Sequence, residues 1–412
     1  MPTPPPSPSR LHYGWHIVWT GTCCIFACLG LGRFALGMLL PSMRDSLHLS
    51  YSQMGLIGTV NFVGYLLAVL ACGPLTERFG YRKVIVLALT AVGVTMLLIG
   101  RGHDYSTLLL CYTITGMGSG AANVPMMALV SRWFGRSNRG RATGFVVIGS
   151  GFAILLSGRL IPWLNRLGGS EGWRLSWQVL AVIILAVAVL CLVMLRDNPA
   201  ALGLRPIGEG DAQLGEATVG GEEGVTVRDI VHLGGLYFLF GCTYVIYATF
   251  IVTALIQEHG FSEAAAGNFW SLVGLLSLFS GPVFGSLSDR IGRKHTLSIV
   301  FVIQTIAYLV VALPLPSGFL YLSIGCFGLV AWSIPSIMAA LAGDYGGPQR
   351  AARIFGLITF IFGFGQIGGP AVAGALAEIS HSFSSSFLLS ACLTALGALL
   401  ALGLRSPHRD AF

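Results

Sequence analysis

Twelve times along this chain, an apolar stretch recurs that is long enough, in most cases, to cross a bilayer; the first lies near residues 14–43 and the last near 384–404. A spanning helix needs about 20 such residues. Hydrocarbon offers no water to backbone N–H and C=O groups, so runs of this kind can cross only as helices. Composition agrees. The chain is 54% hydrophobic and 10% charged, against about 25% charged in a soluble domain. An all-α integral membrane protein of twelve transmembrane helices is the expected fold class.

Charge placement argues topology rather than nucleic-acid binding. The net charge is +7, yet the cations are scattered between apolar runs and form no single basic patch. Arg44, Arg101, Arg159, Arg166 and Arg174 fall on one side of the expected membrane, and Arg33 lies within the first run. Every other Lys and Arg falls in the termini, the linker or the connections of the opposite side. Cytoplasmic segments collect cations, so both termini are expected in the cytoplasm. All nine cysteines sit inside apolar runs, and neither a disulfide framework nor a metal site is expected. The proline-rich start, MPTPPPSPSR, lacks the order of a cleaved signal peptide and reads as a disordered tail.

A polar stretch from Asp197 to Arg228, rich in Gly, Glu and Ala, divides the chain into six runs and six. The expected units are a tail at 1–13, a six-helix bundle at 14–196, a cytoplasmic linker at 197–229, a second six-helix bundle at 230–404 and a tail at 405–412. VTVRDIVH, at the end of the linker, reads as a short helix leading into run seven. The halves repeat. GPLTERFGYRK begins at Gly73 and GSLSDRIGRK at Gly285, while Gly55 and Gly267 are separated by the same interval. Duplicated halves of this kind are an internal repeat typical of transporters.

These two segments resemble the paired signature of the major facilitator superfamily. The resemblance implies a gate or latch built from Gly73, Glu77, Arg78 and Gly80 in one half and Gly285, Asp289, Arg290 and Gly292 in the other. Glu77 and Asp289 can pair with cations or cap neighbouring helix N-termini; a plain solvated turn is the bland alternative. The stretch from GMGSGAANVP to RATGFVVIGSG, with Pro125, Trp133, Phe134, Arg141 and Gly144, is similar to the bacterial monocarboxylate and oxalate–formate carriers. GWHIV, GWRLSWQVL and NPAALGLRP add to that likeness. LGRFALGMLLP is similar to YbfB/YjiJ-type carriers. The implied architecture is two pseudo-symmetric six-helix bundles around a central cavity, in a bacterial inner membrane.

Arg33 is the residue most constrained by physics. It lies ten positions before Met43, or roughly 15 Å below the outer interface, close to the middle of the membrane. A cation there costs at least ~2.5–3.5 kcal/mol. Gly30 and Gly37 flank it on one face and are expected to leave room. No run carries a carboxylate at its centre, so an anionic substrate is the simplest counter-ion. The alternative is that Arg33 snorkels to the outer headgroups. The monocarboxylate carriers' helix-1 lysine stands where Arg33 stands, but their helix-8 arginine is missing here, where Gly281 precedes Pro282. The helix-11 lysine of the oxalate–formate exchangers is missing too. One cation suits a monoanion.

Asn123, Tyr247, Asn268, Trp332, Ser333 and Gln366 complete the candidate binding residues, each with an interhelical hydrogen bond as its alternative role. The reading is a secondary transporter of a small organic monoanion, monomeric, with coupling either to protons or to exchange of a second anion. An exporter of drugs or neutral metabolites and a non-transporting sensor are the rivals. No cofactor, metal, nucleic-acid partner or catalytic residue is expected.

Overall fold

The computed structural model describes residues 12–208 and 226–405. The expected tails, and the centre of the expected linker at 209–225, lie outside these residues. Helix α1 is Tyr13–Leu47. It is followed by α2 (Tyr51–Phe79), α3 (Tyr81–Ile99), α4 (Tyr105–Trp133), α5 (Arg136–Gly168) and α6 (Gly172–Met194). The second half holds α7 (Val227–Gln257), α8 (Glu263–Ile291) and α9 (Arg293–Ala312), then α10 (Phe319–Gly347) and α11 (Arg353–Ser380), and α12 (Ser384–Leu402). The described residues hold no strand, only the single bridge between Phe134 and Ile207.

Among the described residues, ten helical segments are long and apolar enough to cross a membrane. One of them, Asn138–Met194, spans 57 residues and takes in both α5 and α6. Helix α4 is not in that set, because Gly, Ser, Thr and Asn dilute its hydropathy. Many large apolar side chains face outward, among them Leu87, Leu110 and Leu399, as lipid-facing helices require.

Local sequence sets the helix ends. Ser50 with Gln53 and Thr226 with Asp229 form reciprocal capping boxes, which satisfy amides that a helix start leaves orphaned. Asp104 caps α4, and hydrogen bonds from Thr107 hold its carboxyl below the usual carboxylate range. The VTVRDIVH segment is not a separate helix. Thr226 starts α7, which runs unbroken to Gln257. NPAALGLRP forms a short 3-10 turn, Pro199–Leu202, whose far end docks on the end of α4: the Ile207 amide donates to the Trp133 carbonyl at 3.0 Å, and the Gly135 amide to the Ile207 carbonyl at 2.8 Å.

The two latch segments fold alike. Each glycine, Gly80 at φ 83° and Gly292 at φ 91°, turns the chain directly from one helix into the next. Such backbone excludes most side chains. In the first half the capping carboxylate is not the one anticipated, while in the second Asp289 pairs with a cation as expected. Glu77 is exposed, and it is the Asp197 carboxylate that accepts from the Arg82 amide at 2.7 Å, at the N-terminus of α3. In the second half Asp289 pairs with Arg293 at 2.5 Å, and Arg293 also reaches Asp344 at 2.8 Å. Arg78 lies over the Phe79 ring, and Arg290 is exposed. Gly73 and Gly285 lie within helices beside open space.

The halves meet through α2 against α11, α5 against α8 and α1 against α7. At the end carrying residues 42–52, polar ties cross from one half to the other. Ser42 and Asn165 donate to Glu263, Arg44 to Gln257, and the Ser52 amide to Glu378. At the opposite end the ion pairs and carboxylate caps named above stay inside their own half.

Candidate functional site

Helix α1 is not regular throughout. Residues Phe26–Phe34 form a π-helix, a widened turn found often at functional sites. Arg33 sits near its end. Arg33 is 8% exposed, and its guanidinium lies over two rings, its central carbon 4.4 Å from the Phe62 centroid and 4.2 Å from that of Tyr65. Those rings stand one turn apart on α2. Each π face offers ~0.5–2 kcal/mol, which offsets part of the cost of holding a cation at this depth. Snorkelling does not describe this side chain, because it is enclosed.

The space expected beside Gly30 and Gly37 is filled by neighbouring helices. A Cβ at Gly30 would lie 2.0 Å from the Ala153 Cβ, and one at Gly37 would lie 2.5 Å from the Ala248 carbonyl. These glycines let α5 and α7 close on α1 instead of leaving a cavity.

The rings neutralise no charge. Arg33 forms no ion pair with any described carboxylate, and its Nε and Nη2 are buried without a hydrogen-bond partner in the protein. These two nitrogens share one edge of the guanidinium, the edge that binds a carboxylate side-on through two parallel hydrogen bonds. Arg33 lines a gap of about 10 Å³, room for about one water molecule, together with Asn61 and Phe62 of its own half and Tyr244, Ala248 and Thr249 of the other, among others. The site is therefore closed tightly in this conformation, and a larger ligand requires the helices to part.

Each of the surrounding hydroxyls makes a hydrogen bond within the protein and keeps capacity for another. Asn123 donates to the Tyr65 hydroxyl at 2.7 Å, Gln366 donates to the Tyr244 hydroxyl, and the Tyr112 hydroxyl donates to the Arg33 carbonyl at 3.3 Å. Trp332 packs its ring 5.2 Å from Phe34 and 6.1 Å from Tyr244, and its indole Nε1 is buried without a partner. Its place follows from a break in α10 at Ala331 and Trp332. Pro335 cannot donate to the carbonyl four residues back, and Ser280 takes up the Trp332 amide at 3.0 Å.

Of the candidate residues, Arg33 lines the gap, Gln366 reaches it through Tyr244, Trp332 packs on the lining residues Phe34 and Tyr244, and Asn123 holds Tyr65, whose ring lies under the Arg33 guanidinium. Ser333 stands behind the gap, its hydroxyl 2.8 Å from that of Ser280. Tyr247 and Asn268 lie elsewhere. Tyr247 is enclosed within the second half, its hydroxyl 2.9 Å from Ser323 and its ring against Phe327, and Asn268 is exposed on α8. The residues not anticipated are Phe62, Tyr65, Tyr112 and Tyr244. Aromatics three apart on α2 were the available signal, since that spacing puts both rings on one helix face.

A helical membrane protein with a buried, unpaired cation between its halves belongs among solute carriers, not enzymes. The chain is a member of the family described as uncharacterised MFS-type transporter YbfB, matched over residues 25–402. It is 22% identical to the hexuronate transporter of Bacillus subtilis over 392 residues, 92% of this chain and 91% of that protein. It is 24% identical to the probable sulfoacetate transporter SauU of Cupriavidus necator over 412 residues, 94% of this chain and 93% of that one. In fold it is similar to a bacterial homolog of the human lysosomal transporter Spinster, solved inward-facing and unoccupied, with a TM-score of 0.76 and 16% identity over 96% of this chain and 98% of that one.

Proposed function

We propose that this protein is a secondary transporter that carries a small organic monoanion across the bacterial inner membrane by alternating access, with Arg33 as the anchor of the anion. The observation that carries the reading is the buried, unpaired Nε/Nη2 edge of Arg33, a residue that lines a gap shared by both halves. Leaving a buried charged donor unsatisfied costs more than ~1–3 kcal/mol, so a carboxylate or similar oxyanion at that edge is favoured. The related proteins named for hexuronate and sulfoacetate carry names of organic anions, which supports the same class.

In this reading the twelve helices form two pseudo-symmetric six-helix bundles that rock about the Arg33 site. Both termini lie in the cytoplasm, the protein works as a monomer, and the end tied by Glu263, Arg44 and Glu378 faces outward. That end is tied between the halves here by the polar contacts of Glu263, Gln257 and Glu378. Arg33 stays charged at any physiological pH, so protons enter, if they do, with the substrate or through another group; exchange of one anion for another fits equally. The experiment is uptake by proteoliposomes of a panel of labelled monocarboxylates, dicarboxylates, amines and neutral sugars. Uptake of a monoanion that Arg33→Gln abolishes supports the reading. Uptake of amines or sugars that survives Arg33→Gln contradicts it.

A further inference from the structure

We infer that a recess beside the end of α4 binds the headgroup of an anionic phospholipid, one whose phosphate leaves it a net negative charge. The recess is separate from the Arg33 gap, and nothing in the inference depends on which solute the protein carries.

The chain builds this recess after α6 ends. Residues 198–200 and 204–206 line it together with Arg132, in the last turn of α4. The space is about 570 Å³, within the range of small-molecule sites. Its wall is held in place by the protein alone. Pro199 and Pro206 fix their own φ angles, and the Asn198 side chain accepts from the Ala200 amide at 3.1 Å. At the two ends of the wall, the Trp133 indole donates to the Arg196 carbonyl at 2.9 Å, and the Ile207 amide donates to the Trp133 carbonyl at 3.0 Å.

Two arginines and no acidic residue are among the lining residues. Neither Arg132 nor Arg205 forms an ion pair among the described residues. Arg132 lies over the Tyr81 ring, 4.5 Å from its centroid. Asp197, next in sequence to the lining, gives its carboxylate to the Arg82 amide at 2.7 Å, and the Arg82 side chain reaches the Leu192 carbonyl at 2.8 Å. Solvated arginines are ordinary at the cation-rich end of a membrane protein. These two differ in sharing one recess with Pro199, Ala200, Leu204 and Pro206. A guanidinium matches a phosphate through its flat fork. A zwitterionic headgroup also brings an ammonium, which two cations repel, so the anionic headgroup is favoured. The apolar part of the lining suits a ligand with hydrocarbon beside its phosphate. Leu192 and Val193, in the last turn of α6, and Leu202 in the wall itself are exposed, and they offer acyl chains a surface next to the recess.

The test is native mass spectrometry of the purified full-length protein, titrated with phosphatidylglycerol, phosphatidylcholine and inorganic phosphate. Wild type is compared with Arg205→Gln and with Arg132→Gln/Arg205→Gln. The expected result is that the first phosphatidylglycerol binds wild type at least about tenfold tighter than the first phosphatidylcholine. Arg205→Gln, which leaves Arg132 on Tyr81, narrows that preference, and the double variant loses it with the melting temperature unchanged. Arg132→Lys/Arg205→Lys keeps part of it, since charge remains without the fork. Equal binding of the two lipids to wild type overturns the inference, as does a preference that survives intact in Arg205→Gln and in the double variant. Inorganic phosphate that displaces phosphatidylglycerol at equal concentration overturns the lipid as source and leaves a soluble phosphate compound as the ligand.

Discussion

Helices α1 and α7 hold matching places in the repeat, and they are built oppositely. α1 buries a charge: it widens into a π-helix, presents Arg33 and closes on its neighbours through Gly30 and Gly37. α7 buries rings: Tyr237, Phe240 and Tyr244 follow one face and stack with Phe362 of α11. The first half therefore holds the buried charge on this helix pair and the second a stack of rings.

The sharpest way to break this comparison is to remove the charge. Arg33→Gln should lower anion affinity about a hundredfold, the worth of two charge-assisted hydrogen bonds at ~1.5 kcal/mol each, while leaving thermal stability near or above wild type. Arg33→Lys should also lose at least about tenfold, because a lysine offers a point charge without the two-pronged edge. Next comes the contact between the two helices. Gly37→Val places a methyl-bearing carbon against the Ala248 carbonyl, and overpacking of this kind costs ~1–3 kcal/mol; the melting temperature should drop and uptake should slow.

Smaller effects separate the two tyrosines of α7. Tyr244→Phe removes the acceptor for Gln366 beside the gap and should weaken ligand binding by about fivefold, one hydrogen bond of ~1 kcal/mol. Tyr247→Phe removes the bond to Ser323 and should lower stability by a similar ~1 kcal/mol with the dissociation constant unchanged. Equal effects of the two on binding would mean that the site extends past the ring layer of α7. Smallest of all, Asn268→Ala on the exposed face of α8 should shift stability by less than ~0.5 kcal/mol and leave uptake as it was.

Much of this architecture is legible in the amino-acid sequence. Spans, the repeat and the lone cation follow from hydropathy and charge, because the bilayer penalises every exception. Arg33 stands out since no buried carboxylate can pair with it. The π-helix is not legible, as its residues are apolar in the same way as those of a regular turn. Nor is the choice between Tyr244 and Tyr247. From Leu233 to Leu255 α7 carries no charged residue and is buried almost without a break, so no amphipathic stripe marks its inner face, and residues one turn apart look alike. Asn268 is a polar residue at plausible depth, yet only helix packing decides which way it faces. The capping role of Asp197 is hidden for another reason. It depends on where the chain returns after α6, which no local pattern states.

The central claim is that Arg33 meets the substrate's negative charge. Thermal stability of the purified protein with and without monocarboxylates, run side by side on wild type and Arg33→Gln, tests it most directly. A ligand at 100 times its Kd stabilises by about 2.7 kcal/mol, well within reach of a melting curve. The account predicts that at least one monocarboxylate stabilises wild type and leaves Arg33→Gln unmoved. Equal stabilisation of both proteins by the same compound, whatever its charge, would contradict it.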